Sequence, residues 1–201
     1  MKKKILALAV ALSLGGCANF TLVNPGKVDI GGKVEVEADT KWSAAPVEEG
    51  STWTIDGPGL QQLIFHLGVE DGKTLFSQID IEPRKLFGVQ IEKRDAVSFK
   101  FAKTMTEPEL MELFSASLTK LLELPVETAN LAPANLGGHP GFRFDYRMVG
   151  NDEVKRRGKV VGAVVDGKLY MVNYIGTDLY HFSKGEPHAD HIISTLKFKK
   201  G

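Results

Sequence analysis

The chain has 201 residues, with 25 Lys and Arg against 25 Asp and Glu, 43% hydrophobic residues and one cysteine. This length predicts one compact domain with a short extra segment, and the composition excludes a disordered chain, a collagen-like chain and a membrane protein with several spans. The single cysteine excludes an internal disulfide and a cysteine-rich zinc module.

The amino-terminal segment has the features of an export signal. A basic start, Lys2 to Lys4, precedes an apolar run from Ile5 to Leu14 that is too short to cross a bilayer. The sequence Leu14-Gly15-Gly16-Cys17 resembles the lipobox of bacterial lipoproteins. This resemblance implies that residues 1–16 are a cleaved signal peptide and that Cys17 receives a diacylglycerol, often with a further chain such as palmitate on its amino group. An ordinary signal peptide with an incidental cysteine, or a small buried cysteine, is the alternative.

The predicted lipid determines where the protein resides. Two or three acyl chains hold a protein stably on a membrane, whereas one chain binds it only marginally. In Gram-negative lipoproteins an Asp after the cysteine favours the inner membrane, and here Ala18 follows Cys17. The resemblance thus implies the periplasmic side of the outer membrane. Removal of residues 1–16 takes away three Lys and no acid, which leaves 22 basic against 25 acidic residues and a net charge of about −3. This charge argues against a nucleic-acid partner.

The exported part divides into a short tether and one domain. We predict that residues 17–26 are the lipidated cysteine and a tether, because Asn24-Pro25-Gly26 reads as a break, and that residues 27–201 form a single domain. A tether of this length reaches roughly 30 Å when fully extended. It would hold the domain close to the bilayer.

Short strands are predicted in the first half of the domain. Val34 and Val36 alternate with acidic residues in a strand that runs towards Trp42, and a second strand covers residues 53–55. Residues 63–69 and 75–81 are predicted to form an antiparallel hairpin around the turn Glu70-Asp71-Gly72-Lys73. A further strand is predicted around Val97, Phe99 and Phe101.

A helix is predicted to begin after Thr106 and to end before Pro125. Thr106 and Glu109 have the spacing of a capping box, and proline is tolerated in the first turn. The following apolar residues recur at spacings of three and four and would face a sheet: Leu110, Leu113, Phe114, Leu118, Leu121 and Leu122.

The second half of the domain repeats the order of strands and then a helix. Phe142, Phe144, Tyr146 and Met148 alternate with polar residues on one strand. Asp166-Gly167 joins two long strands in a hairpin whose two faces are both apolar, which predicts central strands covered on both sides. Ser183-Lys184-Gly185-Glu186, with Pro187 just inside, predicts the start of a last helix. The order predicts an α+β domain, a mostly antiparallel sheet flanked by helices.

Three segments carry a resemblance to PsbP-like proteins. They are Gly138 to Tyr146, the hairpin from Asp166 to Tyr170, and the carboxy-terminal stretch from His188 to Phe198. The whole exported chain, including Trp53 to Leu60 and Met105 to Leu110, also resembles uncharacterised proteobacterial lipoproteins. The resemblance implies an α/β/α sandwich and no established activity. Members of the wider superfamily serve as accessory or binding subunits, but no functional residue can be carried over.

Two groups of residues are candidate binding sites. Arg143, Asp145 and Arg147 share one strand face and could hold a ligand carboxylate, or form a structural ion cluster if a helix covers that face. His181, His188 and His191 could bind zinc, but the phase of the last helix places His188 and His191 away from its buried side, which favours exposed histidines and no metal. We found no hydrolase elbow, phosphate loop or dinucleotide fingerprint, and no cofactor is predicted.

Three functions are consistent with these features. The first is a non-enzymatic envelope lipoprotein that binds a protein partner or supports a complex in an unknown process. The second is a carrier with a ligand pocket between sheet and helix near Arg143 and Arg147. The third is a hydrolase with a scattered site built on His181 or His188.

Overall fold

The computed structural model describes residues 20–47, 50–76, 84–86, 89–91 and 99–199. Across these residues the elements in chain order are β1 (Thr21–Val23), β2 (Gly26–Ile30), β3 (Val34–Ala38), β4 (Trp42–Val47), β5 (Gly50–Thr54), β6 (Gln61–Val69), β7 (Arg84–Leu86), β8 (Val89–Ile91), α1 (Glu107–Leu122), β9 (Val126–Leu136), β10 (His139–Val149), β11 (Lys155–Val165), β12 (Lys168–Thr177), α2 (His181–Thr195) and β13 (Lys197–Phe198).

One large antiparallel sheet organises the molecule. Its eight described strands lie in the order β1-β4-β5-β6-β12-β11-β10-β9, and β13-β3-β2 form a smaller sheet. Helix α1 packs on β9 and β10, whereas α2 packs on β12 and on β3 of the smaller sheet. Strands β7 and β8 form a separate antiparallel pair. The predicted fold class, an α+β domain with a mostly antiparallel sheet between helices, is confirmed.

The core beneath α1 is built from the predicted apolar stripe. All six predicted residues of that stripe are buried, and Phe114 lies 5.4 Å from Phe144 and 5.1 Å from Tyr146 between ring centroids. The helix begins where the capping box predicts, since the Thr106 amide donates a hydrogen bond of 2.7 Å to Glu109 Oε2. It ends at Leu122, and Glu123 adopts a left-handed conformation at its cap.

The other face of the sheet carries a second core. The apolar side chains of α2 and of the smaller sheet pack there against β6, β12 and β11, and the buried members include Trp42, Trp53, Tyr174, Phe182 and Ile192. Trp42 and Trp53 are each 1% exposed, so both belong to the core and neither lines a groove.

The hairpin of β11 and β12 is the central element that separates the two cores. Asp166 and Gly167 have φ values of 51° and 73°, as the turn requires. Val160, Leu169, Met171 and Ile175 lie in the core under α1, whereas Val161, Val165, Val172 and Tyr174 lie in the core under α2. The prediction of a hairpin with two buried faces is therefore confirmed.

The predicted hairpin of residues 63–69 with 75–81 is wrong. Strand β6 pairs with β5 on one side and with β12 on the other, so both of its edges are occupied. Leu75 is buried without belonging to a strand, and residues 77–81 lie outside the described residues. The strand predicted around Phe99 and Phe101 is reduced to an isolated bridge between Thr74 and Lys100, and Val97 is not among the described residues.

Several of the described strands were not predicted, and β1 and β9 are the two that extend the edges of the main sheet. Strand β1 pairs with β4 although its residues fall within the predicted tether, so the folded part begins by Thr21 rather than at Lys27. Strand β9 is the edge strand beside β10, and its register shifts opposite Arg143 and Asp145, where Asn130 has a φ of 57°. The sequence of β9 did not indicate a strand because it contains few large apolar residues, and only Leu136 in it is fully buried.

The last helix begins earlier than predicted. Its first residue is His181, and Pro187 lies inside the helix rather than in its first turn. The Tyr174 hydroxyl lies 2.9 Å from the His181 carbonyl oxygen and 3.0 Å from that of Phe182, and Phe182 is buried. These tertiary contacts stabilise the extra turn. Pro187 has no N–H to donate to the carbonyl of Ser183, but both residues are exposed, so this carbonyl is accessible to solvent.

Candidate functional site

The structure does not describe the predicted lipidation site, because Cys17 lies outside the described residues. Strand β1 begins only four positions after it. No helix within the described residues is both long and apolar enough to span a bilayer.

Arg143, Asp145 and Arg147 do not lie in a sheet–helix pocket. Their side chains are exposed on the face of β10 opposite α1, and α2 packs further along the sheet on β12. Asp145 accepts a hydrogen bond of 2.7 Å from Asn130 Nδ2. Among the described residues no ion pair involves Arg143 or Arg147. The ligand pocket predicted at this place is therefore not formed there.

The neighbouring basic residues of β11 are held by internal ion pairs. Arg156 is 4% exposed and bonds Asp152, with 2.6 Å between Nη2 and Oδ2, and this hydrogen bond lowers the pKa of Asp152 to about 2. Lys159 Nζ lies 3.0 Å from Glu186 and 2.5 Å from Asp190 on α2. These cations tie the hairpin to its surroundings instead of forming a free basic patch.

Arg157 is engaged as well. Its guanidinium lies 4.5 Å from the ring centroid of Phe182 and 3.4 Å from Asp178 Oδ1. The contact fixes the turn between β12 and α2 against the edge of β11.

The three candidate histidines make separate contacts. His181 Nδ1 lies 2.9 Å from the Thr177 hydroxyl, and His188 Nδ1 lies 2.8 Å from Asp39 Oδ2. The Nε2 atom of His191 is buried without a partner. In the residues that the structure describes, no group of three His, Cys, Asp or Glu side chains could hold a metal ion. His188 and His191 are half-buried, not fully exposed as predicted.

These contacts also separate the parts of a nucleophilic site. His188 has a carboxylate beside it, and His181 has a hydroxyl, but they are seven positions apart on the helix. Seven residues of helix span about 10 Å. Within the described part of the chain, neither imidazole joins an acid to a nucleophile, which is the arrangement that a hydrolase of this kind needs.

A set of buried polar groups lies between α1 and the sheet. The Tyr146 hydroxyl donates a hydrogen bond of 2.9 Å to Asn173 Oδ1, and the Tyr146 ring passes so close to Gly158 that a Cβ there would be 2.1 Å from it. Asn173 Nδ2, His66 Nε2 and Ser117 Oγ are buried without partners. Burial raises the pKa of Tyr146 and lowers that of His66 to about 4. His66 is therefore neutral at pH 7.

Exposed apolar side chains gather at one end of the main sheet. There the starts of β6 and β11 lie beside the ends of β10 and β12. We call the four exposed residues of this end the end patch; they are Leu60 (40% exposed), Val149 (49%), Leu179 (100%) and Tyr180 (58%). The sequence analysis missed them. Their signal is that Leu and Tyr occupy turns, next to Gly57-Pro58-Gly59 and Thr177-Asp178, where polar residues are usual.

The geometry thus defines an α+β domain with an eight-stranded sheet and a helix on each face, without a complete catalytic or metal-binding set among the described residues. The fold is similar to the solution structure of cyanobacterial PsbP (CyanoP) from Synechocystis sp. PCC 6803. The TM-score is 0.56 at 13% sequence identity, and the match covers 96% of this chain and 99% of that chain. No family model matches the sequence, and no curated protein matches it. The likeness therefore shows a PsbP-like fold.

Proposed function

We propose that the protein is an envelope lipoprotein, anchored through a lipid on Cys17, whose PsbP-like domain acts as a non-enzymatic module that binds a protein partner. The observation that carries this proposal is the position of β1. It begins four residues after Cys17 and pairs with β4 in the main sheet. A lipid on that cysteine would hold the sheet itself at the membrane with almost no free chain between them.

The direction of β1 supports a defined orientation of the domain. Thr21 lies opposite Ala44 and Val23 opposite Trp42, so β1 runs towards the end of the sheet that carries the end patch. Thr21 is therefore the residue of β1 that lies furthest from the end patch. Four extended residues reach about 13 Å, which exceeds the roughly 10 Å spanned by the last three residues of β4. An anchor at Cys17 would face the membrane with the end of the sheet at which β4 ends and β5 begins.

The interior of the domain supports a binding role more than a chemical one. The hydroxyl, imidazole and carboxylate groups described above are divided between separate contacts, and both cores are filled with apolar side chains. A rigid domain of this kind is suited to present a surface, and fold alone assigns no activity. The proposed place is the periplasmic side of the outer membrane, as the residue after Cys17 suggests.

Lipidation can be tested by intact-mass analysis of the full-length protein purified from membranes. We expect a mature chain that starts at Cys17 and carries the added mass of a diacylglycerol, with or without a further acyl chain. The Cys17→Ser variant should lack this mass and leave the membrane fraction. An unmodified thiol, or a chain that retains residues 1–16, would contradict the proposed anchor.

Partner binding is tested separately, by crosslinking in intact cells. A partner that is recovered with the wild-type chain and reduced with Cys17→Ser supports the proposal. Recovery of no protein above that control would oppose the binding role even if the lipid is present.

A further inference from the structure

The end patch combines full exposure with a fixed backbone. The Leu179 side chain is 100% exposed, although it belongs to a short turn whose neighbours are all bonded. The Thr177 amide donates to the Leu60 carbonyl over 3.0 Å, and the Asp178 amide donates to the Lys155 carbonyl over 2.9 Å. The two turns are thereby joined to each other and to β11, so the patch is one surface.

Side-chain contacts strengthen this arrangement from both sides. Lys184 bonds Asp56 over 2.8 Å and lies 5.6 Å from the ring centroid of Tyr180, which connects the turn before β6 to the first turns of α2. Arg157 holds Asp178 from the other side, as described above. A leucine held rigidly in solvent gains nothing for the fold, because it buries no surface. A binding surface benefits from the same rigidity, since little conformational freedom is lost when a partner docks.

The charges around the patch are already balanced within the chain. Lys184 pairs with Asp56, Arg157 with Asp178 and Arg156 with Asp152. The remaining charged residues of the adjoining turn, Glu153 and Lys155, are one of each sign, and Arg147, exposed two positions before Val149, lies opposite Glu127 of β9. A surface that binds anionic lipid or an acidic partner carries a net positive charge, which this end lacks. The balance favours an uncharged apolar partner surface.

We propose that the end patch is the docking surface of the domain and that it inserts Leu179, flanked by Leu60 and Tyr180, into an apolar, uncharged pocket of a protein partner. This inference rests on the proposed function, because it assigns the surface through which the anchored domain meets its partner. The patch lies at the end of the sheet towards which β1 runs, and so at the end remote from the proposed anchor. Tyr is enriched among the residues that dominate the energetics of protein interfaces, and Leu179 beside Tyr180 adds apolar area that a partner can bury.

The test uses the full-length chain in intact cells, with a photoreactive amino acid placed at Leu179, at Tyr180 or, as a control, at Lys73 in the turn at the other end of β6. We expect one protein adduct of the same mass from positions 179 and 180 and none from position 73. An adduct with phospholipid, an adduct of twice the protein's own mass, or equal capture from position 73 would overturn the proposal.

Purified components then decide whether the patch carries affinity. The captured protein is identified by mass and its Kd is measured for the wild-type chain, for Leu179→Ser and for Leu22→Ser. Leu22 is the matched control, since it is another leucine with 63% exposure, on β1. We expect Leu179→Ser to weaken binding at least about tenfold and Leu22→Ser to change it less than about twofold. Equal effects of the two variants, or no effect of Leu179→Ser, would overturn the inference.

The two proposals fail in different ways. A bare Cys17 thiol removes the anchor and leaves the docking result readable on the purified chain. Capture of a partner only through position 73 would contradict the docking role of the end patch but would leave the binding role of the domain intact.

Discussion

The two helices pack on opposite faces of the same sheet, but different interactions hold them there. Helix α1 packs on the sheet through a continuous apolar stripe, and the polar groups beneath it are buried with several atoms unpaired. Helix α2 combines an apolar face with hydrogen bonds from Tyr174 to its first residues and with ion pairs from Lys159 to Glu186 and Asp190. The free energy of unfolding is sensitive to the volume and the charge state of groups that are buried in an apolar core. The loss of a partly exposed ion pair changes it only weakly.

The largest effect is expected from the volume of the α1 core. Phe114 is fully buried and contacts the rings of Phe76, Phe144 and Tyr146. Phe114→Ala should lower the free energy of unfolding by about 3–5 kcal/mol, because the cavity is lined by rings that cannot collapse into it. Urea denaturation followed by circular dichroism measures this, with Ser115→Ala on the same helix as the control. A loss below about 1 kcal/mol would show that α1 is loosely packed.

The second effect concerns pH and the neutral imidazole beneath the same helix. Burial lowers the pKa of His66 to about 4 from an ordinary value of 6.5. The unfolded chain takes up a proton on His66 at a higher pH than the folded chain does. The part of the free energy of unfolding that depends on His66 therefore has its full value above pH 6.5 and is lost as the pH falls towards 4. The loss over this range is about 3 kcal/mol at most.

The matched variant for this effect is His66→Leu. Its free energy of unfolding should vary less between pH 7 and pH 4.5 than that of the wild type, by up to about 2 kcal/mol, when both are measured by urea denaturation. Parallel pH profiles for the two proteins would show that His66 is solvated in the folded state.

The third prediction concerns the hydrogen bond between two of the buried polar groups, the Tyr146 hydroxyl and Asn173 Oδ1. Tyr146→Phe keeps the ring over Gly158 but leaves Asn173 without a donor for its Oδ1 atom. We expect a loss of about 1–3 kcal/mol in the free energy of unfolding. The double variant Tyr146→Phe/Asn173→Leu should recover part of this loss, because an apolar side chain needs no partner there. A double variant that is less stable than the single one would indicate that Asn173 has another role.

The smallest effect is expected at the rim of α2. Lys159→Met removes both ion pairs to the helix, and its aliphatic part keeps the packing, so the loss should be about 1 kcal/mol or less. The loss should shrink in 0.5 M salt, where exposed charges are screened. Lys168→Met, which removes a more exposed pair with Glu70, is the control and should have a still smaller effect. If Lys159→Met lowered the free energy of unfolding more than Tyr146→Phe does, the ion pairs at α2 would contribute more than the buried hydrogen bond beneath α1.

The sequence predicts the parts of this fold whose pattern is local. The cap at Thr106, the stripe of α1 and the Asp166-Gly167 hairpin depend on residues close together in the chain, and each is confirmed. The partners of β6 could not be predicted, because strands β5 and β12 compete with the adjacent segment for its edges and all residues of β6 are buried, so its pattern does not select a partner. The start of α2 was missed because the hydrogen bonds that stabilise its first turn come from Tyr174 on the preceding strand β12, a contact that the helical spacing of residues does not reveal.

The candidate site was predicted less well than the fold. Arg143, Asp145 and Arg147 were correctly placed on one strand face, but the sequence does not show which part of a sheet a helix leaves uncovered. The end patch depends on three turns that meet only in the folded chain, so the local signal of Leu and Tyr in turns does not show that these residues lie at the same end of the sheet. Nothing in the structure describes the environment of Cys17, and its lipidation remains a prediction.

The long edge strand β9 has a consequence for a protein crowded on a surface. Among the described strands β9 lies at the edge of the main sheet, and an unpaired edge of this length can template the addition of another chain. Here the backbone at Asn130 turns into the left-handed region, and Pro133 has no amide hydrogen to offer. The edge is thereby interrupted at two places, which disfavours continuous pairing with the sheet of another copy.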